Sequence, residues 1–208
     1  MFADRKDAGM KLGRELQRLG YAGIPVFGIP NGGAELAVYA ARTIGSTPSL
    51  LICRKLPFPH NPESGFGAIA EDGSTVILEG PAGEVSETER ERIAEQQKAE
   101  IKRRIKVLRG GAFFPNIAGS TVILVDDGIA MGSTMRAAIA MCRASEAERI
   151  VVAVPVAASR TRTEMESLAE DVIVLEEPAH FRAVAQVYKH WYDVSDEEVR
   201  SLLESAEG

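Results

Sequence analysis

Short apolar runs recur along the chain with longer amphipathic stretches between most of them, and this alternation limits the fold more than any other feature. Residues 24–29, 50–53, 121–125, 150–156 and 172–175 are almost free of polar side chains and rich in Val, Ile and Leu. Continuous runs of that length read as strands covered on both faces, as parallel strands are. Helical patterns occupy residues 34–44 after the first run, 133–145 after the third and 159–169 after the fourth. A leading helix is expected over residues 4–19, with Gly20 placed to end it. Strand–helix alternation of this kind predicts an α/β fold, a doubly wound parallel sheet with helices on both faces. The 208 residues suit one domain with enough chain to bury a substantial core.

Two regions interrupt the alternation. Residues 65–80 read as strand, turn, strand, with Asp72-Gly73 as the hairpin signal. Residues 86–108 then form a charged helix opened by Ser86 with Glu89 three positions on, a capping-box pattern. Its apolar residues Ile93, Ile101, Ile105 and Leu108 share one face, and the Glu, Lys and Arg residues around them read as a solvated surface. Hairpin and helix together make an insertion over residues 56–110. The last segment, 176–208, opens with an irregular aromatic stretch (His180, Phe181, Tyr188, Trp191, Tyr192) and closes with a short helix capped by Ser195.

Charge and composition exclude several classes of function. The net charge is −6, from 24 basic and 30 acidic residues, which argues against nucleic-acid binding by counterion release. Cys53 and Cys142 are too few for a disulfide framework or a four-cysteine zinc site, and both read as packing residues. His60, His180 and His190 lack metal-ligand spacing. No apolar run approaches the ~18 residues of a membrane span, and residues 1–18 lack the apolar core of a signal peptide. A cytoplasmic enzyme or small-molecule binder is the expectation.

The chemistry concentrates in residues 122–134, Val-Ile-Leu-Val-Asp126-Asp127-Gly128-Ile-Ala130-Met131-Gly132-Ser133-Thr134. An apolar strand ends in adjacent carboxylates, a loop with two glycines follows, and hydroxyl residues open a helix. At the carboxyl edge of a parallel sheet this arrangement gathers backbone N–H groups and a helix N-terminus around one point, a site suited to phosphate. Gly128 and Gly132 allow close backbone approach, and Ser133 and Thr134 add donors. The carboxylates would repel a phosphate; they suit ribose hydroxyls or a hydrated Mg²⁺. No Walker Gly-Lys-Ser/Thr is present.

This passage resembles the phosphoribosyl-pyrophosphate (PRPP) motif of type I phosphoribosyltransferases. From Asp4 to about Leu203 the chain is similar to a subgroup of these proteins in bacteria and archaea. The similarity includes residues 4–9, Phe27-Gly-Ile-Pro-Asn-Gly-Gly33, Arg54-Lys55, Asn61-Pro-Glu63 and Gly67-Ala-Ile69. It extends through Phe181-Arg-Ala-Val184, Tyr188 and Ser195-Asp-Glu-Glu-Val199. It implies transfer of a phosphoribosyl group from PRPP to a nucleobase-like acceptor, with Mg²⁺ as cofactor and a homodimer as the common assembly. Asp126 and Asp127 would contact the ribose hydroxyls and, through them or through water, the metal; Asp127 would lie near C1′. Ala130, Met131, Gly132, Ser133 and Thr134 would hold the 5′-phosphate. Asn31, Gly32 and Gly33 would serve the pyrophosphate, and Arg54 and Lys55 the pyrophosphate or the base. The insertion would stand where relatives carry a flexible loop over the site, and the segment with Phe181 would be the hood over the base.

Two positions depart from the pattern. Relatives usually carry a hydroxyl residue at the position of Met131 and commonly an arginine at that of Asn31. These departures favour, as a second reading, a PRPP or nucleotide sensor without turnover; a hydrolase that uses water as acceptor is a third. Glu63 would hydrogen-bond a base or pair with Arg54, and the basic cluster 102–104 is expected on a solvated face.

Overall fold

The computed structural model describes residues 1–206, except for the side chain of Glu63. The first half comprises α1 (Arg5–Arg18), β1 (Val26–Gly28), α2 (Gly32–Ile44), β2 (Pro48–Leu50), β3 (Cys53–Phe58), β4 (Asn61–Ala70) and β5 (Thr75–Ile77). The second comprises α3 (Glu87–Arg109), β6 (Thr121–Val125), α4 (Ser133–Ala144), β7 (Arg149–Val156), α5 (Ser159–Glu166), β8 (Asp171–Glu176) and α6 (Asp196–Glu204).

The principal sheet has five strands in the order β2-β1-β6-β7-β8, all parallel. Strand period sends successive side chains to opposite faces, and both faces are filled. Phe27, Val122, Leu124, Ile150 and Val152 pack with Met135, Ile139 and Cys142 of α4. Val26, Ile123, Val125, Val151 and Ala153 pack with Leu12 and Leu16 of α1 and Leu36, Ala37 and Ala40 of α2. This is the doubly wound architecture that the alternation of apolar runs implies. Cys53 and Cys142 are buried among these side chains, and burial pushes the Cys142 thiol up to about 12.

The run at residues 50–53 is not one strand. Only Pro48–Leu50 pairs with β1; the chain then leaves the sheet and Cys53 opens β3 of a second, antiparallel sheet, β3-β4-β5. The expected hairpin is its β4–β5 arm, but β4 begins at Asn61 and also pairs along β3. Helix α3 covers this sheet through Ile93, Ile101 and Leu108, which pack with Phe66, Ile69 and Val199 of α6. Its charged surface is laced by pairs such as Arg92–Glu89 and Arg103–Glu100. Ser86 caps α3, and Ser195 caps α6 in a full capping box with Glu198. Among the described residues no helix is long and apolar enough to cross a membrane.

Candidate active site

Strand order reverses between β1 and β6: from β1 the chain continues to β2 on one side, whereas β6 leads to β7 and β8 on the other. The crevice outside the carboxyl ends of the strands at such a point is where open α/β sheets bind ligands. Asp126 and Asp127 follow the last residue of β6 directly into that crevice. The loop beyond them is pinned from the β7 side. Ile129 N–H donates to the Val156 carbonyl (2.9 Å), and Thr161 Oγ1 donates to the Ala130 carbonyl (2.7 Å). Gly132 then caps α4 with φ of +76°, and a Cβ there would lie 3.0 Å from Thr161 Cγ2. That combination of dihedral and crowding explains glycine at this position. Helix α4 consequently starts at Ser133 with its N-terminus, and the donors that a first helical turn leaves over, beside the carboxylates.

A cavity of about 470 Å³ lies against this turn. Residues 126–135 line it together with Lys55, Ser64 and Gly65 from the antiparallel sheet and Arg182 and Val184 from the C-terminal segment. The proposed phosphate residues Ala130, Met131, Gly132, Ser133 and Thr134 are therefore brought together with Asp126, Asp127 and Lys55. Met131 is 50% exposed on the cavity rim.

The two carboxylates differ. Asp126 Oδ1 accepts the Asp127 N–H (2.8 Å), and burial, followed by the charge of Asp127, holds the Asp126 carboxyl well above the usual carboxylate range. Asp127 Oδ2 accepts from Arg5 Nε at 2.9 Å. Burial raises Asp127 as well, against the opposing pull of that guanidinium. Arg5 itself is 3% exposed; its Nη1 donates to the Tyr192 carbonyl (2.8 Å) and its guanidinium lies 3.9 Å from the centre of the Trp191 ring. Tyr188 Oη donates to the Asp127 carbonyl (2.7 Å), and Tyr192 Oη donates to Glu35 Oε2 (3.1 Å). Burial, then the Glu35 charge, pushes the Tyr192 hydroxyl up to about 12.

Gly32 and Gly33 lie directly behind the carboxylates. A Cβ at Gly32 would sit 1.9 Å from Asp127 Oδ2, and one at Gly33 would sit 2.9 Å from Asp126 Cα. Neither glycine lines the cavity, and three further residues given roles in the site, Arg54, Asn31 and Phe181, also stand apart from its lining. Arg54 is adjacent to Lys55 on a strand, so it points to the opposite face. There its Nε donates to Gln97 Oε1 of α3 (3.0 Å), and burial and then Arg104 lower its pKa. Asn31 donates through Nδ2 to the Val194 carbonyl (2.6 Å) and Asp196 Oδ1 (3.3 Å), and its Oδ1 accepts from Arg104 Nη1 (2.6 Å). Phe181 packs against the cluster on the α1–α2 face of the sheet, and its neighbours Arg182 and Val184 take the cavity wall instead. Arg103 and Arg104 of the basic cluster are committed to Glu100 and Asp196. The role considered for Glu63 lies outside the described residues. The sequence reading missed Arg5, Tyr188 and Arg182 as site residues. Each belongs to a segment quoted for the family resemblance, but no local pattern separates these three from their neighbours.

An α/β sheet with carboxylates and a glycine–hydroxyl helix start at its switch point defines a class of phosphate- and ribose-binding folds. Within that class the chain belongs to the phosphoribosyl transferase domain family, whose model matches residues 6–191. The structure of TT1426 from Thermus thermophilus superposes with a TM-score of 0.82 at 33% identity, covering 100% of both chains. Two Mycobacterium tuberculosis proteins, Rv0571c and MT0597, named as candidate phosphoribosyl transferases, are each 34% identical over 208 residues. That alignment takes in 99% of this chain and 47% of either protein, so the chain spans about half the length of these relatives.

Proposed function

We propose that the chain transfers the phosphoribosyl group of PRPP to a nucleobase-like acceptor and releases pyrophosphate. The observation that carries this reading is that Asp126 and Asp127 share one cavity with the N-terminus of α4. Family membership supports a transferase. The 5′-phosphate binds where residues 130–134 turn into α4, held by backbone N–H groups, Ser133 and Thr134. The ribose hydroxyls donate to Asp126 and Asp127. The diphosphate extends toward Lys55 on the cavity wall.

As the bond from C1′ to the diphosphate breaks, positive charge grows on the sugar and negative charge on the leaving group. The Asp127 carboxylate, near C1′, stabilises the first, and the Lys55 ammonium the second. The diphosphate leaves with the electron pair of the C1′–O bond, the acceptor's ring nitrogen supplies the pair for the new N–C1′ bond, and its proton passes to solvent. The donor set fits a hard cation: Asp126 is a half-buried carboxyl whose bonded partner among the described residues is a backbone N–H, and oxygen ligands suit Mg²⁺. Bound through Asp126 and Asp127, by way of water or ribose, Mg²⁺ would neutralise diphosphate charge.

A PRPP sensor without turnover is favoured by one observation: both polar atoms of the Asn31 side chain are engaged by the protein. One experiment separates the readings. The protein is incubated with Mg²⁺, PRPP and a panel of nucleobases, and pyrophosphate release is followed. Transfer requires base-dependent release. Base-independent release identifies a hydrolase, and tight binding without release a sensor.

A further inference from the structure

We infer that Arg5 is a positioning residue for Asp127, an inference that rests on the transferase reading above. The guanidinium is enclosed. Nε donates to Asp127 Oδ2 (2.9 Å), Nη1 donates to the Tyr192 carbonyl (2.8 Å), and the Trp191 ring lies 3.9 Å away. On its remaining side the backbone of Gly32 approaches so closely that a Cβ there would lie 2.8 Å from Nε. At 3% exposure the side chain has no other conformation open to it without dismantling these contacts.

The consequence falls on the carboxylate. Asp126 and Asp127 are consecutive acids in one crevice, where like charges and burial both resist two anions. The ion pair from Arg5 compensates Asp127 and fixes one of its oxygens, so the other meets the substrate from a set direction. Arginine suits the position because its planar fork bonds a carboxylate and a carbonyl from separate nitrogens while its face stacks on indole; a lysine ammonium has no planar face to stack. The site is thus assembled from chain segments far apart: the first turn of α1, the end of β6, the start of α2 and the tail at 188–192.

A clasp that merely joined α1 to the tail would affect stability alone, and the test reads more than stability. PRPP-dependent pyrophosphate release gives kcat and KM for PRPP in the wild type and in Arg5→Lys, Arg5→Gln and Arg5→Ala, with Tm recorded for each. Arg5→Gln is expected to lose about 100-fold in kcat with a smaller change in KM, as misplacement of a group by about 1 Å does. Arg5→Lys recovers part of that loss. Guanidinium ion at millimolar concentration restores activity to folded Arg5→Ala about 10-fold by filling the vacated site beside Trp191. If Arg5→Ala does not fold, Trp191→Leu, which removes the stack and leaves the ion pair, is expected to lower kcat about threefold or more. The inference is overturned if folded Arg5→Gln keeps kcat within about threefold of wild type, or if guanidinium restores nothing to folded Arg5→Ala. Unchanged kcat in Trp191→Leu, where that variant is needed, overturns it too. Absence of turnover in the wild type overturns the transferase reading first, and this inference with it.

Discussion

Replacing Gly32 by alanine should damage the site far more than the fold. A Cβ at this position would stand 1.9 Å from Asp127 Oδ2, 2.6 Å from Asp127 Cγ and 2.8 Å from Arg5 Nε. Ordinary van der Waals contact begins near 3.4 Å, so the carboxylate must retreat by about 1.5 Å. Asp127 is a side chain and can move, but only by giving up the bond from Arg5. Loss of a hydrogen bond between charged groups costs about 1.5–3 kcal/mol. Gly32 is the first residue of α2, and alanine offsets up to about 1 kcal/mol of that cost through helix propensity. A net loss of roughly 0.5–2 kcal/mol corresponds to a fall in Tm of about 1–8 °C for a chain of this length. Catalysis should fall much further: a shift of more than 1 Å at a reacting group costs about 10²-fold. Thermal unfolding and PRPP-dependent pyrophosphate release measure the two effects. Turnover within twofold of wild type in Gly32→Ala would refute the placement of Asp127 at the reacting carbon.

Other outcomes follow from charge pairs away from the cavity. Arg109 on α3 donates to both oxygens of buried Glu71 and to the Leu50 carbonyl, tying the helix to both sheets. Arg109→Met leaves that carboxylate with only the Ile52 N–H as donor and should cost about 3 kcal/mol, lowering Tm by roughly 6–12 °C; a fall below about 3 °C would contradict it. Bonds from Arg103, and secondarily from Arg104, lower the Glu100 carboxyl from 4.5 to about 2. A depressed acid stabilises the fold above its unfolded pKa and loses that contribution as pH falls through its folded one. Solvent screening holds the effect to about 1 kcal/mol. Glu100→Gln should therefore lower Tm by about 2–4 °C at pH 7, and the gap to wild type should close as pH falls from 4.5 toward 2. An equal gap at pH 7 and pH 2.5 would count against the pairing.

Much of the fold was legible because its determinants are local. The apolar runs of β6 and β7 are too continuous for anything but strands covered on both faces, and the residues from Val125 to Thr134 carry their own turn and helix start. The second sheet was half legible. Its Asp72-Gly73 turn is visible, but the break after Leu50 is not, because Leu51 and Ile52 are as apolar as the strand they leave. Strand period dictates that Arg54 and Lys55 face opposite ways; which of them meets the cavity depends on where α3 packs. Asn31 illustrates a different limit. Its three partners lie on α3, at the start of α6 and just before it, so nothing near it in sequence marks its side chain as engaged. Arg5 and Asp127 are 122 residues apart and meet only in the folded chain.

The central claim is that the turn from β6 into α4 binds the phosphate and ribose of PRPP. Calorimetric titration of the wild-type protein with PRPP in the presence of Mg²⁺ tests it most directly. Saturable one-site binding is the predicted result, strongly weakened in the double variant Ser133→Ala/Thr134→Val, which removes two hydroxyl donors and is compared at matched folding, checked by its Tm. Failure to bind either PRPP or a nucleoside monophosphate at millimolar concentration, or binding unchanged in the double variant, would contradict it.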